Sequence, residues 1–165
     1  MPTLYESTRE AIAAQLNAVE DVGKIFKSVR YVTDWGVFLD MYRNEEGLLK
    51  VCWFSKAGHD DLIDAPLSTV DAADFIHWTE KVERWRIEYF YGFKDDDFLP
   101  SEFDFEKVIE RIEAKFRFLQ NLSGVCYQSL PLQRTSSGLW SFQGGVLCHH
   151  AEWSLKIIHR IENPN

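Results

Sequence analysis

Apolar and polar residues alternate with a period of two in the segment 85–91. Four large apolar residues share one face of the extended chain: Trp85, Ile87, Tyr89 and Tyr91. Arg86 and Glu88 occupy the opposite face. A period of two is typical of a strand with one face buried, so the pattern predicts a half-buried strand that ends near Gly92.

A helical pattern follows the polar segment 92–97. Ser101 can cap the first turn, and Asp104 stands three residues later in an approximate capping box. The apolar residues then recur at helical spacing: Phe105, Val108, Ile109, Ile112, Phe116 and Leu119. We therefore predict an amphipathic helix that begins at about Ser101.

A first helix is predicted near the amino terminus, where Thr3 and Glu6 have capping-box spacing. Its apolar stripe ends near Gly23 and comprises four residues: Tyr5, Ile12, Leu16 and Val19. The segments 24–31 and 48–54 have the composition of strands. The segment 34–43 fits either a short helix or a strand, and the sequence leaves this open.

The last part of the chain again alternates. Residues 146–161 place Leu147, His149, Ala151, Trp153, Leu155 and Ile157 on one face. Upstream, Ser136 to Gly138 has the composition of a turn and predicts a hairpin there. The acidic segment 57–73 is predicted to be a surface loop.

The order of these elements predicts an α+β fold. Short turns favour antiparallel pairing, because parallel strands need long crossover connections. We expect a mainly antiparallel sheet covered on one side by the two amphipathic helices, in two layers. A chain of 165 residues is of the size of one domain, so residues 1–165 are assigned to a single α+β domain.

Composition narrows the class of protein. Hydrophobic residues make up 45% of the chain, which is typical of globular proteins, and the formal charge of −8 argues against binding of nucleic acid. Three cysteines do not form a disulfide framework. Without a signal peptide or a membrane-spanning apolar run, the expected location is the cytoplasm.

The strongest candidate for metal chemistry is Cys148-His149-His150, with His159 nearby. Neighbouring residues of a strand point to opposite faces, so Cys148 and His150 can share a metal but His149 cannot readily join them. The competing interpretation is a core-facing His149 bonded to a neighbour and a more polar His150. We favour the latter, and expect no catalytic residue, metal or cofactor.

Candidate interface residues are aromatic or acidic. Trp85, Tyr89 and Tyr91 are expected to face the core, which leaves Trp78 and Phe90 as candidates for a subunit contact. The acidic segment adds three further candidates, which could instead be solvated: Asp60, Asp61 and Asp64.

Three segments together resemble the tail-terminator or tail-completion proteins of tailed bacteriophages and prophages. They are the helix 4–22, the block from Trp85 through Ser101 to Phe116, and the strand 147–152. The resemblance implies a non-enzymatic α+β subunit that self-associates into a ring, often a hexamer, and binds tail-tube or neck proteins. It implies assembly in the bacterial cytoplasm and a final place in the virion tail. An acidic lumen would keep passing DNA from adsorbing.

Two other hypotheses stay open at this point. A small acidic binding protein, of the immunity or inhibitor type, would use its negative surface to recognise a basic effector protein. An enzyme would need an active site assembled from distant parts of the chain, and His149, His150 or Cys148 could be one of its residues.

Overall fold

The computed structural model describes residues 2–28, 34–45, 47–58, 60–64, 78–93, 98–117, 119–142 and 146–162. These contain three α-helices: α1 (Leu4–Asn17), α2 (Trp35–Tyr42) and α3 (Phe98–Arg117). A short 3₁₀ turn follows at Leu122–Gly124. Seven strands are present: β1 (Lys24–Phe26), β2 (Lys50–Lys56), β3 (Asp61–Asp64), β4 (Trp78–Gly92), β5 (Gln128–Ser129), β6 (Gln133–Phe142) and β7 (Val146–Glu162). The predicted α+β class is confirmed.

The seven strands form one curled, mostly antiparallel sheet. Its two long central strands, β4 and β7, pair from Trp78 opposite Glu162 to Gly92 opposite Cys148. Along their outer edges, β2 and β3 pair with β4, and β5 and β6 pair with β7. Only β1, which runs beside β2, is parallel to its neighbour in the described sheet.

The predicted capping box starts α1. The Glu6 N–H donates to Thr3 Oγ1 at 3.2 Å, and the Thr3 N–H donates to Glu6 Oε2 at 2.7 Å. The carboxylate and hydroxyl thus satisfy two backbone donors of the helix start.

Helices α1 and α3 cover one face of the sheet, here called the inner face. Their buried residues meet the apolar face of the central strands in one cluster whose members include Leu16, Trp85, Ile109, Phe116 and Trp153. Helix α2 lies over the opposite, outer face, where Phe38 and Tyr42 belong to a second cluster with Trp53 and Phe90. The fold therefore adds a partial third layer to the two that the sequence predicts.

Two predicted boundaries are wrong. Helix α3 begins at Phe98, so Ser101 lies inside it and is fully buried instead of capping its start. Ser136 to Gly138 do not form a turn, because they belong to β6 and pair with residues 150–152 of β7. No helix in the described segments is long and apolar enough to cross a membrane.

Candidate functional site

Phe90 is not exposed, which corrects the prediction that it belongs to an open interface. The residue has only 2% of its surface exposed, because it packs on Trp53 with ring centres 4.4 Å apart. Trp140 of β6 meets it edge-on at 5.2 Å. The alternating pattern placed Phe90 on the correct face, but α2 and neighbouring rings cover that face.

The acidic candidates are neutralised locally. Asp60 accepts from Lys56 at 2.7 Å and pairs with Lys81 at 2.9 Å, and Asp61 pairs with Arg84. These carboxylates are therefore not free to bind a basic partner without first losing an ion pair. The side chains of Asp64 and Trp78, the remaining candidates, lie outside the part of the chain that the structure describes.

A buried charged cluster lies at one end of the inner face. Glu83 of β4 is completely buried, and its carboxylate is 3.1 Å from Lys81 Nζ and 3.5 Å from Lys56 Nζ. Trp85 Nε1 donates to the same carboxylate at 3.3 Å. These residues meet because positions of equal parity on a strand point to the same face.

Histidine and threonine complete this cluster. His159 Nε2 lies 3.5 Å from Glu83 Oε2 and 3.4 Å from Thr8 Oγ1. Burial by itself would raise the pKa of Glu83, but the hydrogen bonds from His159 and Lys81 lower that pKa to about 2. Glu83 is thus held as an anion in the interior by groups from β2, β4 and β7, and Thr8 of α1 contacts His159 behind it.

Ser101 and His149 form a second buried pair, with Ser101 Oγ 3.1 Å from His149 Nε2. Serine beside histidine is the arrangement of an activated nucleophile. Here both side chains are buried, and the His149 ring stacks on Phe105 at 5.0 Å and meets Phe93 at 4.9 Å. Burial also lowers the pKa of His149, against a smaller opposing effect of Glu102. The pair joins α3 to β7, as expected for a core-facing His149 bonded to a neighbour.

On the outer face, three potential ligands converge. Glu88 of β4 stands directly opposite Glu152 of β7, and His150 lies two residues earlier on β7. Their carboxylate oxygens and one imidazole nitrogen all lie within 4.8 Å of one another. Glu88 was expected on the polar face of the strand, but it is only 8% exposed. Its Oε2 accepts a hydrogen bond from Trp53 Nε1 at 2.8 Å.

The cysteines are all free and buried. Burial raises the pKa of Cys126 to about 11 and that of Cys148 to about 12, and it raises the pKa of Cys52 further. A thiol that stays protonated at neutral pH is a poor nucleophile and a poor ligand. Cys148 lies on the same face of β7 as His150, as predicted. Its side chain, however, is buried in the apolar cluster under α2.

Among the described strands, β6 has the longest free edge. Within the described residues, β6 pairs with β7 on one side and with no strand on the other. All of 133–139 is exposed, and a single register shift lies between Arg134 and Ser136. Arg134, the only charged residue of β6, is turned to α3 and donates to Glu113 at 2.8 Å.

Sequence reasoning missed Glu83 and Glu152 as members of clusters. The only feature of the sequence that points to them is their spacing along the strand. Glu83 lies two residues from Trp85 and so shares its face, and Glu152 lies two residues from His150 and shares that face. Comparison of the chain with family models and with curated proteins found no match in either.

Proposed function

We propose that this chain is a non-enzymatic structural subunit of a phage or prophage tail, a tail-terminator or tail-completion protein that forms a ring at the head–tail junction. The observation that carries the proposal is the free edge of β6. Pairing through such an edge adds a neighbour without any active site.

An exposed strand edge presents unpaired backbone donors and acceptors, and proteins that stay monomeric protect such edges with charge, proline or bulges. From Ser136 to Leu139, β6 is exposed and has no charge, no proline and no register shift. This segment is therefore suited to pair with a strand of another molecule.

Exposed apolar residues lie beside this edge. Leu139 is 54% exposed, and Leu147 of the neighbouring strand is 45% exposed. They share the inner face, since Leu139 pairs with His149 and Leu147 pairs with Ser141. Burial of both residues would add apolar area to the backbone hydrogen bonds of a strand contact.

A ring follows if the edge of β6 meets a different surface of the next subunit. Such head-to-tail contacts close into a ring when their rotation permits it. The formal charge of −8 gives the assembly an acidic character, which disfavours adsorption of DNA passing through its lumen. Tail-tube or neck proteins are the proposed partners.

The alternative of an inhibitor that recognises a basic effector has less support. Asp60 and Asp61, two of the acidic interface candidates, already pair with Lys56, Lys81 and Arg84. A basic partner would have to displace these cations.

Light scattering coupled to size-exclusion chromatography tests the proposal, with and without purified phage tail tubes. We expect a discrete oligomer, or capping of tube ends seen by electron microscopy. Leu139→Lys should abolish both, because it places a charge at the contact.

A matched control is Phe103→Lys, which replaces an apolar residue that is 66% exposed on α3. It should leave assembly unchanged. The proposal would be overturned if the wild-type chain stayed monomeric and did not bind tail tubes. Equal effects of the two substitutions would also overturn it.

A further inference from the structure

The convergence of Glu88, His150 and Glu152 has an unfavourable component. Two glutamates stand directly across β4 and β7, and like charges in that position destabilise a sheet. Glu88 Oε2 is occupied by the Trp53 N–H and by Arg86 at 3.2 Å, but Arg86 is exposed. Glu152 Oε1 accepts a hydrogen bond from the Thr135 hydroxyl at 3.2 Å.

The His150 imidazole lies close to these two carboxylates. His150 Nε2 is buried and has no hydrogen-bond partner among the described residues, with Glu88 Oε1 3.5 Å away. The buried nitrogen and the carboxylate oxygen thus lie farther apart than the roughly 2.7–3.2 Å of a normal hydrogen bond. Buried polar atoms usually have a partner, so an unmatched pair of this kind points to a missing one.

We propose that Glu88, His150 and Glu152 bind one divalent transition-metal ion, with Zn²⁺ as the best match. Zinc accepts imidazole nitrogen and carboxylate oxygen at about 2.0–2.2 Å. Tetrahedral ligands at that radius are about 3.4 Å apart. The separation of His150 Nε2 from Glu88 Oε1, 3.5 Å, already matches this value.

The ligand set also selects among cations. Mg²⁺ and Ca²⁺ prefer oxygen ligands alone, whereas a set with one imidazole favours zinc and its neighbours. Three protein ligands leave one position for water. The site crosses between β4 and β7, so a bound ion would fasten the two central strands to each other.

Two of the ligands are already oriented, Glu88 by hydrogen bonds and His150 by a ring contact. Trp53 and Arg86 fix Glu88 through Oε2, which leaves Oε1 free for the ion. The His150 ring is held against Phe90, with centres 4.5 Å apart. Opposite His150, β6 has Gly138, where an added Cβ would meet nothing within 4 Å. The free space beside the ring leaves room for a water ligand.

The test uses the full chain after treatment with a chelator. Titration with ZnCl₂ in a calorimeter should give one ion per chain, and thermal denaturation should shift upward with Zn²⁺ but not with equal MgCl₂. Glu152→Gln should weaken Zn²⁺ binding at least 30-fold, by about the effect expected of removing one charged ligand. His150→Gln should weaken it similarly.

Asp61→Asn is the matched control, because it removes an acid of the other carboxylate-rich region while leaving this site intact. It should bind Zn²⁺ as the wild type does. If His150→Gln fails to fold, Glu152→Gln decides, because Glu152 is only partly buried.

The proposal is overturned if Zn²⁺ causes no heat and no thermal shift, or if Mg²⁺ acts equally. It is also overturned if binding survives both ligand substitutions. Replacement of Zn²⁺ by Co²⁺ checks the ligands: a thiolate charge-transfer band would place a cysteine at the ion and contradict this site.

Discussion

The ammonium of Lys81 lies 3.1 Å from Oε1 of Glu83, a carboxylate that is fully shielded from solvent. Lys56 approaches the same oxygen, and His159 approaches the other. Burying a carboxylate is costly unless charged groups compensate for its lost hydration. The inner face therefore depends on a balance of charges as well as on its apolar cluster.

Glu83→Gln should destabilise the fold, because it leaves the cations around it with Asp60 as the nearest anion. We expect the free energy of unfolding to fall by about 3 kcal/mol, as for one partner lost from a buried ion pair. Urea denaturation at pH 7 measures this. Glu80→Gln, which removes a more accessible pair with Arg160, should cost less than about 1 kcal/mol. Equal losses would contradict the prediction.

The same carboxylate predicts a dependence of stability on pH. The folded-state pKa of Glu83 is lowered from 4.5 to about 2, so the unfolded chain takes up the proton first as pH falls. This contribution, on the order of 3 kcal/mol, is complete above about pH 4.5 to 5 and is lost as pH falls toward 2. The difference in stability between wild type and Glu83→Gln should shrink over that interval. A difference that is constant with pH would refute it.

Phe90→Ala tests the burial of the outer face. Because the ring fills the contact between Trp53 and Trp140, its removal should cost about 3–5 kcal/mol. Thermal or urea denaturation measures the loss. Phe103→Ala, at an exposed position of α3, should change stability by less than about 0.5 kcal/mol. A small effect at Phe90 would mean that the ring is not part of the core.

Gly23 and Gly47 have similar backbone angles but different surroundings. Comparing their alanine variants therefore distinguishes backbone strain from a steric clash of the added Cβ. Gly23 has φ +80°, and an added Cβ would lie 2.2 Å from the Lys50 carbonyl oxygen. Gly47 has φ +77°, but nothing lies within 4 Å of its added Cβ. Gly47→Ala should cost about 1–2 kcal/mol from backbone strain. Gly23→Ala should cost at least about 2 kcal/mol more, seen as a larger fall in melting temperature. Equal falls would exclude the collision.

The elements with strong periodicity could be predicted from the sequence. Alternation over 85–91 and 146–161 gives β4 and β7 together with their buried faces, and the Thr3–Glu6 pair gives the start of α1. These signals are local, because each depends only on neighbours along one element. The error at Ser136 to Gly138 has the same origin. Small polar residues are typical of a turn, but pairing with the distant strand β7 makes this segment a strand.

The clusters could not be predicted, because their members come from distant segments. The burial of Phe90 depends on helix α2, which lies in the segment that fits a helix or a strand equally well. Likewise, Thr8, Lys56 and His159 surround Glu83 only after the sheet has formed. Periodicity gives the face on which a residue lies, but not what covers that face.

The pairing of β4 with β7 also constrains how the chain reaches its native state. Each residue of β4 finds its partner about 55 to 85 positions later, with α3 and two further strands synthesised in between. During translation, the edge of β4 that pairs with β7 therefore stays unpaired until the ribosome has completed β7. Folding with such distant contacts is slow, typically in milliseconds to seconds, so the apolar face of β4 stays open to aggregation until β7 pairs with it.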